Sequence, residues 1–256
     1  MPAPSLDALV DRLVTARRER QAVEAAPFAE TVRTADDAYL VQAAVANELD
    51  WFPDGERRHW KSGGPSRTAT LGHSALPPAG VWTSPARLGD WPFALGGIEA
   101  ELALRVGVDV DAERAAGLDV DGASDLVDAM AVSIELVDSR YVEGTKAPPL
   151  LRLADVQVHA ALVLGAWGPY ARRDWSAQRC HVTLGERGTT TFTGSLALGD
   201  PAWVLPAWLR HATADGRVVR AGTVVTTGTW CGLLIARPGE RVAVAFDGIG
   251  EAEVTV

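Results

Sequence analysis

Three glutamates sit where a protein core would be expected. The stretch IEAELALRV, residues 98–106, carries Glu99 and Glu101 among apolar residues, and VSIELVDSR, residues 132–140, carries Glu135 between Ile134 and Leu136. Side chains on a strand alternate between its two faces. With residues 98–106 as a strand, Ile98, Ala100, Leu102, Leu104 and Val106 point one way, and Glu99, Glu101, Ala103 and Arg105 share the other. A buried carboxylate needs a paired charge, donors or a metal, because removing its water is costly. Spacing alone admits two arrangements. One is a solvated polar face, with Glu135 paired to an arginine. The other is a set of three oxygen ligands. With no Cys or His set alongside, such a set suits a hard divalent cation, Mg2+ or Mn2+, with positions left for water or substrate.

A basic group joins them. Lys and Arg together number 24, yet only Lys61 and Lys146 are lysines. Arginine serves wherever a solvated positive charge suffices. A lysine that persists marks a compact, deprotonatable amine, chance survival being the alternative. Lys61 lies in WKSGGPSR, at a strand end before a Gly-Gly turn whose amides are free to approach an anion. LGDP (198–201) and TTGTW (226–230) also interrupt apolar runs with small polar residues, as turns do.

These residues need elements to hold them. Apolar periodicity predicts a helix over residues 6–25, capped by Ser5, and a second over 34–49. From Ile98 onward, short β-branched runs alternate with turn residues, which predicts a twisted sheet, roll or barrel of many short strands. VLPAWLRHATA (204–214) reads as one late helix. The fold class is therefore α+β, with a helical N-terminal region, 1–55, and a β-rich domain, 56–256, as one cooperative unit.

Composition narrows the function. At 256 residues and 47% hydrophobic, the chain can build a large core. A net charge of −9, with no basic run longer than RRHWK, argues against a nucleic-acid partner. No apolar window is long enough for a membrane span, and the N-terminus has no signal-peptide layout. Two cysteines make neither a disulfide framework nor a zinc site, so a cytoplasmic protein with reduced thiols is expected.

The motifs also come in a familiar order. K-x-G in WKSGG, E-x-E in IEAEL, then IELVDSR, GDPAWVLPAWLRH, AGTVVTTGTW and PGERVAVAFDGIGEAEVTV together resemble the fumarylacetoacetate hydrolase superfamily. More narrowly, they resemble its hydratase/decarboxylase branch, from about Arg58 to the C-terminus. The resemblance implies a mixed β-roll with a helical N-terminal region. It implies Mg2+ or Mn2+ held by Glu99, Glu101 and Glu135, Lys61 lining the active site, and Thr229 near the substrate carboxylate. It also implies assembly into a homo-oligomer, for which the nine tryptophans, Trp203 and Trp208 among them, are either interface or core.

Two stretches depart from the branch. Pro78 in LPPAGVW stands where an Asp is usual, and ADVQVHAALVLG keeps Asp155 but has Val156, Val158, His159 and Ala160 where an amide and serines are usual. The end of the site away from the metal is therefore expected to be altered, with His59, His73 and His159 as candidate replacements. The expected reaction is metal-dependent lyase chemistry on a 2-oxo or 2-hydroxydienoic acid, led by hydration of 2-hydroxypenta-2,4-dienoate in aromatic catabolism. Decarboxylation of a 2-oxo-enedioate is the alternative, with Arg140 or Arg152 holding the second carboxylate and Asp155 nearby. C–C hydrolysis of an acylpyruvate, with His59 or His73 as base, and a non-catalytic subunit partnered with a related hydratase or decarboxylase complete the set.

Overall fold

The computed structural model describes residues 4–256. Helix α1 (Leu6–Glu19) is capped by Ser5, whose hydroxyl accepts from the Ala8 amide. It is shorter than its periodicity suggested. Arg20 turns left-handed (φ 55°) and sends its amide back to the Ala16 carbonyl, and Val23 then pairs with Tyr141. Helix α2 (Ala35–Glu48) opens on a capping box between Thr34 and Asp37. Among the described residues, no helix is long and apolar enough to cross a membrane.

The strands are β1 (His59–Gly63), β2 (Gly72–Ala75), β3 (Val81–Thr83), β4 (Ala86–Arg87), β5 (Gly97–Val106), β6 (Val127–Val137) and β7 (His159–Leu164). After them come β8 (Gly168–Pro169), β9 (Arg179–Leu184), β10 (Thr189–Thr193), β11 (Val224–Thr226), β12 (Leu234–Ile235), β13 (Arg241–Phe246) and β14 (Gly250–Thr255). A nine-stranded sheet has the order β2-β1-β11-β5-β6-β7-β3, with β12 against β5 and β8 against β6. A five-stranded sheet has the order β10-β9-β13-β14-β4. This is the curled mixed sheet of many short strands that the β-branched runs require.

Short helices fill the connections: α3 (Ala112–Ala116), α4 (Val120–Ser124), α5 (Pro149–Ala154) and α6 (Leu205–Thr213). The first three were not expected. Asp111 and Asp119 cap α3 and α4, and α5 starts on Pro149, whose ring suits a first helical turn. All three are too short for a repeating apolar stripe.

One face of β5 and β6 packs into the main core with Trp60, Val182, Val244 and α6. Trp208 on α6 is fully buried there, so that tryptophan is core; Trp203 packs against the same core and stacks under Arg67. A second core joins α1 and α2 to α5 and Tyr141. The other face of β5 carries the acidic residues. The N-terminal helices therefore brace α5, which forms one wall of the cavity above that face.

Candidate metal centre

The register of the central strands assembles the site. β5 and β6 are antiparallel, with Glu99 directly opposite Glu135 and Glu101 opposite Ser133. β11 sets Thr226 beside Ala103 on β5, and β1 sets Lys61 beside Thr226. Residues opposite one another, and residues two apart, share a face. Lys61, Thr226, Glu101, Ser133, Glu99 and Glu135 therefore project from one side of the sheet. One carboxylate oxygen from each glutamate lies within 4.8 Å of the others.

Each side chain is held differently. Glu135 is fully buried; its Oε1 accepts from Lys61 Nζ at 2.6 Å and from His159 Nδ1 at 2.9 Å, while its Oε2 has no partner among the described residues. Glu101 Oε2 accepts from the Thr226 hydroxyl and from the Gly228 amide at 3.1 Å. Gly228 sits at φ 96°, a conformation L side chains rarely adopt, so glycine is needed to aim that amide. Ser133 completes the chain by donating to Thr226 Oγ1 at 3.0 Å. Lys61 Nζ also donates to the Gln157 carbonyl at 3.2 Å. That carbonyl belongs to a turn in which Val156, Gln157 and Val158 all have φ between 53° and 57°. Left-handed backbone at β-branched residues is strained and clusters at functional sites.

The charges do not balance. Burial, reinforced by the Glu135 charge, pushes the Glu99 carboxyl up to about 7 and Glu101 up to about 8. Burial would also raise Glu135, but Lys61 and His159 outweigh it and hold Glu135 below the usual carboxylate range. Burial would lower Lys61, yet the three glutamates, Glu135 foremost, hold it above the ordinary lysine value. At neutral pH the cluster is thus one ion pair beside a Glu101 that is mostly protonated and a Glu99 that is about half protonated, for want of positive charge. The free Glu135 Oε2, the oxygen-only donor set and this charge deficit all fit a hard divalent cation.

A cavity of about 650 Å3 opens above the cluster. Lys61, Glu99, Glu101 and Thr229 line it, together with Arg152 and Leu153 from α5. Thr229 donates its hydroxyl to the Gly232 carbonyl at 3.1 Å. Arg140 and Asp155 are not in the lining. Asp155 is buried and accepts from Arg140 Nε at 2.6 Å and from Arg17 Nη2 at 2.9 Å, tying α1 to the end of α5. Arg152 makes no ion pair among the described residues, and its Nε is buried without a partner.

The histidines also separate. His59 and His73 do not line the cavity; His73 Nδ1 meets Ser62 Oγ at 2.8 Å and its ring packs against His211. His159, expected at the altered end, lies instead against Glu135. Sequence reasoning did not single out Thr226, Ser133, Gly228 or the Gln157 carbonyl. The only signal was the small polar interruption TTGTW, which holds two of the four.

The backbone superposes on 4-oxalocrotonate decarboxylase from Pseudomonas putida G7, complexed with magnesium and adipate, with a TM-score of 0.81. Identity is 18%, over 98% of this chain and 96% of that one. In sequence, the chain is 28% identical over 229 residues to 2-keto-4-pentenoate hydratase 1 of Dechloromonas aromatica (strain RCB), covering 84% of this chain and 83% of that protein. It is also 28% identical over 124 residues, 48% of each chain, to 4-oxalocrotonate decarboxylase of a Pseudomonas species. Residues 88–256 match the model of the fumarylacetoacetate (FAA) hydrolase C-terminal family, and the chain belongs to that family.

Proposed function

We propose that this chain is a divalent-metal-dependent lyase acting on a 2-oxo or 2-hydroxydienoic acid, with 2-hydroxypenta-2,4-dienoate as the leading substrate for hydration. The carrying observation is the cluster of Glu99, Glu101 and Glu135, with one free buried oxygen, beneath a cavity that also holds Lys61. Its three carboxylates would hold Mg2+ or Mn2+. Such a cation, when bound, supplies positive charge that anchors a 2-oxo acid and stabilises negative charge developing on its 2-oxygen.

The chain's own groups do the rest. Lys61 presents a charged amine at the cavity wall, braced by Glu135 and the Gln157 carbonyl, and donates a hydrogen bond or a proton to a substrate oxygen. The Thr229 hydroxyl lines the cavity and would bind the substrate carboxylate by exchanging its Gly232 partner for it. Leu71, Leu150 and Leu153 line the wall and keep water from the chain of the substrate. The 28% identity to a hydratase along most of both chains supports this reading.

Decarboxylation of a 2-oxo-enedioate is the second reading, favoured by Arg152. An unpaired guanidinium with a buried, partnerless Nε lining the cavity suits a second carboxylate. Arg140, engaged with Asp155, is less suited. The acylpyruvate hydrolase reading has less support, because neither His59 nor His73 lines the cavity. Aromatic catabolism, a cytoplasmic location and a homo-oligomer remain part of the proposal.

The test is the ultraviolet absorbance of 2-hydroxypenta-2,4-dienoate with the purified protein and Mg2+, with and without EDTA. EDTA-sensitive loss with formation of 4-hydroxy-2-oxopentanoate is expected. Release of CO2 from 2-oxohex-3-enedioate, with no hydration, would move the assignment to decarboxylation. Bound Mn2+ with neither reaction would make the chain a non-catalytic metal-binding subunit.

A further inference from the structure

His159 is the second donor on Glu135, and the backbone is bent to put it there. β6 and β7 pair regularly from Ser133↔Leu164 to Leu136↔Ala161, and the register then shifts so that Val137 faces His159. Ala160 is the extra residue. Val137 lies two residues beyond Glu135, so its cross-strand partner shares the glutamate's face. Without the bulge Ala160 would occupy that place and His159 would point to the opposite face. A β-bulge forfeits ladder pairing and re-aims a side chain.

The resulting contact is defined. A carboxylate only accepts, so the ring carries its proton on Nδ1 and donates it to Glu135 Oε1 at 2.9 Å. Lys61 Nζ donates to the same oxygen at 2.6 Å, and Oε2 has no partner. His159 is 2% exposed and does not line the cavity, so it touches Glu135 and not the substrate. The two donors differ in freedom. Lys61 lines the cavity and can exchange an acceptor for a substrate oxygen, whereas the histidine is buried beside Glu135 outside the cavity lining.

We propose that His159 is a positioning residue for the metal centre. Its Nδ1–H pins Glu135 Oε1 so that Oε2 faces the other two carboxylates, and it keeps that orientation when Lys61 turns to the substrate. This rests on the metal reading above. Donors behind a ligand typically account for about 10–100-fold in metal affinity.

The experiment is Mn2+ binding, by the electron paramagnetic resonance of free Mn2+, to the unchanged chain, His159→Leu and His159→Asn. Asparagine keeps an N–H near the position of Nδ1; leucine fills the space without a donor. His159→Leu is expected to bind Mn2+ about 10–100-fold more weakly, and His159→Asn to recover most of that loss. Folded His159→Leu with the affinity of the unchanged chain would overturn the inference and leave the metal reading intact. No Mn2+ binding by the unchanged chain would sink both. Should His159→Leu not fold, the ring nitrogens of His159 in the unchanged chain decide by 15N magnetic resonance. An Nδ1-protonated ring whose signals move on adding Mg2+ is expected, and an unresponsive ring overturns the inference.

Discussion

The two faces of the β5–β6 ladder are both largely buried and chemically opposite. Ile98, Ala100, Leu102, Ile134 and Leu136 on one face are all fully buried, and so is Glu135 on the other, with Glu101 2% exposed. The strands and the register are shared. What differs is the cover. The apolar face meets the second sheet and α6, whose side chains need only fill space. The acidic face meets Lys61, His159, Thr226 and a cavity, which supply donors and room for an ion. Burial therefore does not distinguish core from site here; the partners offered to each side chain do.

The largest effect separating the faces is expected from Glu135→Gln. It removes a ligand and leaves Lys61 a buried cation without its counterion. Mn2+ affinity should fall by more than the about 100-fold upper range of an outer donor, with turnover lost and the melting temperature lowered. Unchanged Mn2+ binding in that variant would refute the site. Ile134→Ala, one residue away on the other face, should act through packing alone. Unfolding in denaturant should show a loss of about 2–5 kcal/mol. Binding by the folded variant should stay within about twofold, as for sites that do not share partners. A large change in affinity would mean that the faces are coupled through the backbone.

Acidity sharpens the comparison next. Glu99 and Glu101 hold their protons up to about 7 and about 8, well above the value of an unfolded chain. Since the folded form then binds more protons, the metal-free protein should lose stability as pH rises from about 4.5 to about 8. Metal must displace the same two protons, so Mn2+ affinity should rise by up to about a hundredfold per pH unit near pH 6 and flatten above about pH 8. A pH-independent dissociation constant would contradict these raised pKa values. The smallest effect is expected farther along the cavity. Arg152→Gln should raise KM about tenfold for a substrate with a second carboxylate, the loss of one charged hydrogen bond. It should leave a monocarboxylate substrate unchanged; equal effects on both would place Arg152 elsewhere in the reaction.

The alternation of residues 98–106 was enough to put Glu99 and Glu101 on one face, because strand periodicity is local. The rarity of lysine singled out Lys61 by composition alone. Likewise Ser5 marks a helix start, since capping is settled within a few residues. Helix α5 escaped notice because six residues carry no periodic stripe, although they wall the cavity. Arg140 and Asp155 looked like substrate residues because they are polar within motif stretches, yet they are joined to each other and to Arg17. The tertiary structure alone decided which groups meet. Glu99 faces Glu135 because β5 and β6 pair in one register, Lys61 reaches a residue 74 positions away through β11, and a one-residue bulge turns His159 toward the site. Periodicity and capping are carried by neighbours in the chain. Register and bulges are set by packing over the whole sheet, and no short stretch of sequence contains that energy.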